Sequence, residues 1–178
     1  MQNFIWLIAA ALLALGLPAA SVAQYDTAKK LGVVASSTYD KSKNETTIEA
    51  KRLEVGGTSD QFFILNASVT FSGEKLLKRP DEVIFIIQIG SPSYRYPDKV
   101  NVKLQVDGVT RSDLTMLTLD RRPADKQFLE TIGARIPYET FKAIALAKEV
   151  ELTVDKTNMR VGATHLAVLA DMNKMINP

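Results

Sequence analysis

Between Val100 and Val106 apolar and polar side chains alternate without a break. Val100, Val102, Leu104 and Val106 are separated by Asn101, Lys103 and Gln105. A period of two puts one face in a core and the other in water, which a helix cannot do with these residues. Asp107-Gly108 follows, and then Val109-Thr110. Both Asp and Gly tolerate the positive φ angles of a two-residue hairpin turn, so the chain is expected to double back there. This single stretch commits the protein to antiparallel sheet.

The pattern recurs. Phe63, Leu65, Ala67, Val69 and Phe71 form a second apolar face, opposite Asn66, Ser68 and Thr70. Residues 83–89 are apolar on both faces, which predicts a central strand covered on both sides. Further strands are expected at 31–39, 46–55, 113–120, 127–136 and 149–154. Within 46–55 the apolar phase slips between Ala50 and Leu53, the mark of a bulge or a change of sheet. Asp155 to Asn158 reads as a turn, with Met159 to Val161 returning as a short strand. Gly56-Gly57 reads as a loop between strands.

Two stretches carry helical spacing instead. Tyr138, Phe141, Ile144 and Ala145 recur at i, i+3 and i+4, with Pro137 suited to a first-turn position. Leu169, Met172 and Ile176 form a stripe on a C-terminal helix for which Thr164 is the expected cap. Many short strands, polar turns and two helices predict a mainly β chain. The expected architecture is an antiparallel Ig-like β-sandwich, with a short helix near 138–147 and a C-terminal helix near 165–176.

Charge divides the chain. Residues 1–23 contain no charged side chain, and Phe4 to Leu17 is an apolar run of fourteen residues ending before Pro18. Ser21-Val22-Ala23 places small side chains before Gln24, as cleavage of a secretory signal peptide requires. The run is shorter than the roughly 20 residues of a membrane span. The expected organisation is a signal peptide at 1–23, an N-terminal arm with the first strand at 24–38, and one β-sandwich domain at 39–178. The mature chain is expected to have no transmembrane span. The n-region, Met1-Gln2-Asn3, carries only the α-amino charge. With no cysteine after the apolar run, lipid anchoring through a thioether is excluded. A cysteine-free exported chain also favours a bacterial periplasmic or extracellular setting over a disulfide-rich eukaryotic one. In that setting the sequons Asn44-Glu45-Thr46 and Asn66-Ala67-Ser68 carry no meaning.

A longer-range order accompanies these elements. Tyr39-Asp40 precedes Thr46-Thr47-Ile48. Ser91, Tyr94 and Tyr96 come next, then the Asp107-Gly108 hairpin and Ile136-Pro137-Tyr138-Glu139-Thr140-Phe141. Ile144-Ala145, Ala147-Lys148, Val150-Glu151 and the last helix complete it. Over residues 39 to 176 this resembles a family of uncharacterised exported bacterial β-sandwich proteins. The resemblance implies compartment and fold, and no catalytic residue.

The residues restrict chemistry further. Zero cysteine removes thiolate zinc sites and thiol nucleophiles, and one histidine removes paired-His metal sites. No cofactor and no metal are expected. His165 would have to serve any Ser-His-Asp triad, yet no Gly-x-Ser-x-Gly elbow exists; the plainer expectation is a partly buried residue on the helix face. Glu49, Glu54, Asp98, Asp113 and Asp120 are the acids a glycoside hydrolase could use, but their spacing singles out no pair. No calcium loop and no phosphate-binding glycine loop occur. The 22 Lys+Arg against 20 Asp+Glu leave a net charge of +2, too small and too scattered for a nucleic-acid partner.

Two features could serve recognition. The proline-bounded loop Ser91–Pro97 holds Tyr94, Arg95 and Tyr96, whose rings could stack on sugar or anchor a protein. The same residues could instead pack along the sandwich with Arg95 outward. Arg121 and Arg122, near Lys126, form a small basic group, as do Lys75, Lys78 and Arg79 before Pro80; either could meet an anionic envelope polymer or lipid. Ordinary solvated charge also accounts for both. The sequence therefore predicts an exported, non-catalytic binding or structural module of the bacterial cell envelope, with an envelope protein or polysaccharide as partner. The alternative is a carboxylate-dependent hydrolase acting on polysaccharide.

Overall fold

In a computed structural model the described residues are 34–177, with the side chains of Ser112 and Asp113 excepted. The expected signal peptide and most of the N-terminal arm lie outside them. Nine strands are described: β1 (Ala35–Asp40), β2 (Glu45–Gly57), β3 (Phe62–Ser72), β4 (Glu82–Ser91), β5 (Lys99–Val106), β6 (Val109–Ala124), β7 (Gln127–Pro137), β8 (Val150–Val154) and β9 (Thr157–Val161). Two helices join them, α1 (Tyr138–Ala145) and α2 (Ala163–Met175). The mainly β architecture with a C-terminal helix stands as the sequence predicts. No helix among the described residues is long and apolar enough to cross a membrane.

All described ladders are antiparallel and form one sheet in the order β1-β2-β3-β4-β7-β6-β5-β8-β9. The strand that bends this sheet into two layers is β6. Its first half, Val109 to Leu117, pairs with β5, and its second half, Leu117 to Ala124, pairs with β7. A register shift between Thr118 and Asp120 follows the handover at Leu117. Phe63, Phe85, Ile87 and Ile132 from one layer and Leu104, Met116 and Leu152 from the other are fully buried in one shared core. The result is sandwich-like, but the strand order is not that of an Ig domain, whose two sheets are separate ladders.

The free edges of the two layers come back toward each other at Gly56 and Met159. A methyl group added to Gly56 would sit 3.3 Å from the Met159 Cγ. Gly56-Gly57 thus forms the end of strand β2, paired with Phe63 and Phe62, rather than the expected loop, and the bare backbone at Gly56 admits the neighbouring layer.

Local chemistry accounts for the turns. The hairpins β5–β6, β6–β7 and β8–β9 each turn on two residues, Asp107-Gly108, Asp125-Lys126 and Asp155-Lys156. The aspartates at their first positions have φ of 50°, 51° and 53°. Asp is among the few side chains that tolerate this left-handed region. The phase slip in β2 is a bulge: the register jumps between Ala50 and Leu53, and Arg52 takes φ 61°. β4 lies in mid-sheet as expected. Its inner face is fully buried, while Ile84, Ile86 and Gln88 on the outer face are only partly covered.

Helix α1 starts one residue beyond Pro137, which occupies the N-cap, and buries Tyr138, Phe141, Ile144 and Ala145. Helix α2 begins earlier than expected, with Gly162 at the cap; Thr164 lies within the first turn and caps nothing. Its stripe buries Leu166, Leu169, Met172 and Ile176. The Tyr138 hydroxyl donates to the Asn173 Oδ1 at 2.9 Å and ties the helices together.

Candidate binding cleft

The loop that carries Tyr94, Arg95 and Tyr96 is held from beneath by one buried acid. Glu130, on β7, is wholly buried. Its carboxylate accepts from the backbone N–H of Arg95 at 2.9 Å and of Tyr96 at 3.2 Å. The Arg121 Nε lies 3.5 Å away, and the same guanidinium donates to the Tyr96 carbonyl at 2.5 Å and to Asp98 at 3.0 Å. Thr118 adds a hydroxyl bond to the Pro97 carbonyl at 2.7 Å. A buried charge persists only when paired and hydrogen-bonded, and this one is both.

The two tyrosines of the loop are placed differently. Tyr96 is buried, 8% exposed, and its hydroxyl accepts from the Gln61 Nε2 at 3.3 Å. Burial raises its phenol pKa, and the Glu130 charge adds to this. Tyr96 is therefore not a surface contact; it belongs to the core. Tyr94 is exposed, with its ring edge-to-face on Phe128 at 4.6 Å, and Arg95 is exposed beside it. Arg121, expected at a basic surface group, is drawn into the loop's network. Arg122 is exposed and lies 3.7 Å from Asp120. The loop thus gathers Tyr94, Arg95, Tyr96 and Arg121, and leaves Arg122 apart.

Next to this loop, on the outer face of the sheet, lies a cleft of about 930 Å³. Gln61 joins the two, since it lines the cleft and bonds Tyr96. The floor is Phe62 and Ile64 on β3. The Phe62 ring lies over Gly90, where an added methyl would meet it at 2.1 Å. Arg52 and Glu54 on β2, Gln88 on β4, Thr58 and Gln61 from the β2–β3 connection, and His165 from the first turn of α2 supply polar groups. A cavity of this size with a few convergent polar groups is the usual form of a small-ligand site.

Arg52 reaches the cleft because of the bulge. Its backbone N–H donates to the Asn66 Oδ1 at 3.0 Å, which holds the left-handed turn. Bulges commonly re-aim a side chain in this way. His165 is half-buried, and its Nδ1 is buried without a hydrogen-bond partner among the described residues. Burial pulls its pKa below the usual histidine range, with Glu54 opposing. Glu54 is the single carboxylate among the described residues that line the cleft.

Of the other acids considered for hydrolysis, Asp113 has a side chain outside the described residues, and the remaining three stand elsewhere. Glu49 pairs with Lys51, Asp98 with Arg121, and Asp120 with Arg122. Among the described residues no group of three or more His, Asp or Glu side chains is placed to hold a metal ion. The sequence singled out Glu54 and His165 only as isolated residues. No pattern in the sequence marks Arg52, Gln61, Gln88, Asn66 or Glu130 for function, although the phase slip beside Arg52 marks the place. Comparison of the chain with family models, with curated proteins and with solved structures finds no match in any of the three.

Proposed function

We propose that this chain is an exported, non-catalytic β-sandwich protein of the bacterial cell envelope that acts as a binding module, with the cleft at Arg52, Gln88 and His165 as its ligand site. The observation that carries this reading is the lining of the cleft: among the described residues, six polar side chains from separate segments converge around an apolar floor, with one carboxylate among them. Glycoside hydrolysis by the usual route needs two carboxyl groups flanking one bond. Recognition needs only a shaped surface with a few directed polar groups. Export rests on the uncharged segment 1–23 and the small residues before Gln24.

The test is a thermal-shift panel of envelope fragments, including polysaccharide oligomers, glycan-linked peptides and free peptides, run on the wild type and on Gln88→Trp. A ligand of the folded state raises Tm by mass action. At least one class should stabilise the wild type, and the indole should abolish the effect. No shift with any class, or a shift that survives Gln88→Trp, would refute the cleft as the site. Release of sugar reducing ends by the wild type, lost in Glu54→Gln, would refute the non-catalytic reading. Secreted material should begin at Gln24; a retained Met1 would refute cleaved export.

A further inference from the structure

Arg52 and Glu54 stand two residues apart on one strand and line the same cleft, yet neither has an ion-pair partner among the described residues. Their neighbours behave otherwise, since Glu49 and Lys51 on the same strand pair with each other. The difference lies in the bulge, where the left-handed backbone at Arg52 turns its side chain out of the regular alternation. A non-glycine residue held at positive φ stores strain, and such strain gathers at sites that use it. Among the described residues the cleft therefore offers one unpaired cation and one unpaired anion, with the Gln61 and Gln88 amides lining the same space.

We infer that the cleft takes a small dipolar ligand, a carboxylate at the Arg52 end and an ammonium group at the Glu54 end, as in a short free peptide. This rests on the binding reading above and adds the chemistry of the ligand. A guanidinium fork matches a carboxylate in a paired, planar contact. His165, half-buried in the first turn of α2, lines the same cleft and adds a polar ring to it. Two amides suit a peptide bond, each with one donor and one acceptor side. Glu54 argues against a phosphate dianion, because a second negative group would face it across the cleft.

The experiment uses trialanine, its N-acetylated form and its C-terminal amide, titrated into the purified exported protein and followed by amide NMR shifts. The free peptide should bind with shifts centred on Arg52, Gln61, Gln88 and the start of α2. Removing either terminal charge should weaken binding at least tenfold. Arg52→Gln should weaken the free and the N-acetylated peptides by a similar factor and leave the amide unchanged. Equal binding of the amide and the free acid would overturn the inference, as would unaltered binding in a folded Arg52→Gln. The comparison of the three peptides on the wild type stands even where a variant fails to fold. If the fragment panel shows a cleft ligand but none of the three peptides binds, this inference fails and the binding reading survives. If nothing occupies the cleft, both fail.

Discussion

Glu130 is a carboxylate with no access to water, and its acceptor sites are filled by two backbone N–H groups and the Arg121 guanidinium. Removing it would leave the Arg95 and Tyr96 N–H groups without an acceptor, whereas the part-exposed Arg121 keeps Asp98 and the Tyr96 carbonyl. Each buried donor left unsatisfied costs about 1–3 kcal/mol. Glu130→Ala should therefore lower Tm by on the order of 10 °C, at about 2–4 °C per kcal/mol for a domain of this size. Glu130→Gln keeps the shape and one acceptor and should fall between. Circular dichroism melts decide the matter; a drop under about 2 °C for the alanine variant would mean that the loop is held by other contacts. His165 supplies a second residue-scale expectation. Its pKa is lowered in the fold by burial, against the partial opposition of Glu54. The unfolded chain then binds the proton more readily than the folded one. Stability is fully present above the ordinary histidine pKa and declines as pH falls through that value toward the lowered one. His165→Gln should flatten this part of the stability curve, measured by urea melts between pH 7.5 and 5. A His165→Gln curve parallel to that of the wild type would show that the group does not titrate with folding.

At the scale of the elements, the floor of the cleft depends on a glycine. Phe62 pairs with Gly90 across the β3–β4 ladder, and its ring occupies the space a Cβ would need. Gly90→Ala must push the ring out of place, and overpacking of this kind costs about 1–3 kcal/mol. Gly90→Ala should thus lose stability and also weaken any cleft ligand, whereas Gly108→Ala, open to solvent on its turn, should leave ligand affinity untouched. Equal ligand affinity in Gly90→Ala and wild type would show that Phe62 is not part of the site. How far such features can be seen in the sequence depends on their range. The alternation of Val100 to Val106, the Asp107-Gly108 turn and the phase slip after Ala50 are local patterns, and each returns as a strand, a hairpin and a bulge. The turn at Asp125-Lys126 lacks a glycine and follows Arg121-Arg122-Pro123, so the length of β6 was hidden. Glu130 reads as one more polar residue in an alternating strand, because the loop it holds is over thirty positions away in the chain. The cleft was illegible for the same reason. It joins a β2 bulge, a β3 floor and the start of the last helix, and only the sheet order brings these together.

On the scale of the whole molecule, β6 decides whether the two layers are one folding unit. An Ig-type sandwich holds its sheets together by side chains alone. Here the backbone ladder runs through β6 from one layer into the other, and the handover falls at Leu117, which pairs with both Lys99 and Gly133. Unzipping β5, β8 and β9 would therefore strip hydrogen bonds from a strand that the other layer also needs. It would also expose the inner faces of Leu104, Met116 and Leu152, which lie in the same core as Phe85 and Ile87. Both effects oppose independent opening, and a domain of this size commonly unfolds in one step. Amide hydrogen exchange under rising denaturant measures this directly, because the most protected amides of each layer report their own opening free energy. Amides in the middle of β8, around Leu152, should converge with those in the middle of β4, around Ile87, on one global value. Leu104→Ala should lower both together by about 2–5 kcal/mol, the range for emptying a buried leucine site. If the β8 amides open at distinctly lower free energy and Leu104→Ala lowers theirs alone, the layers are separate units, and β6 is a hinge between them rather than a shared beam.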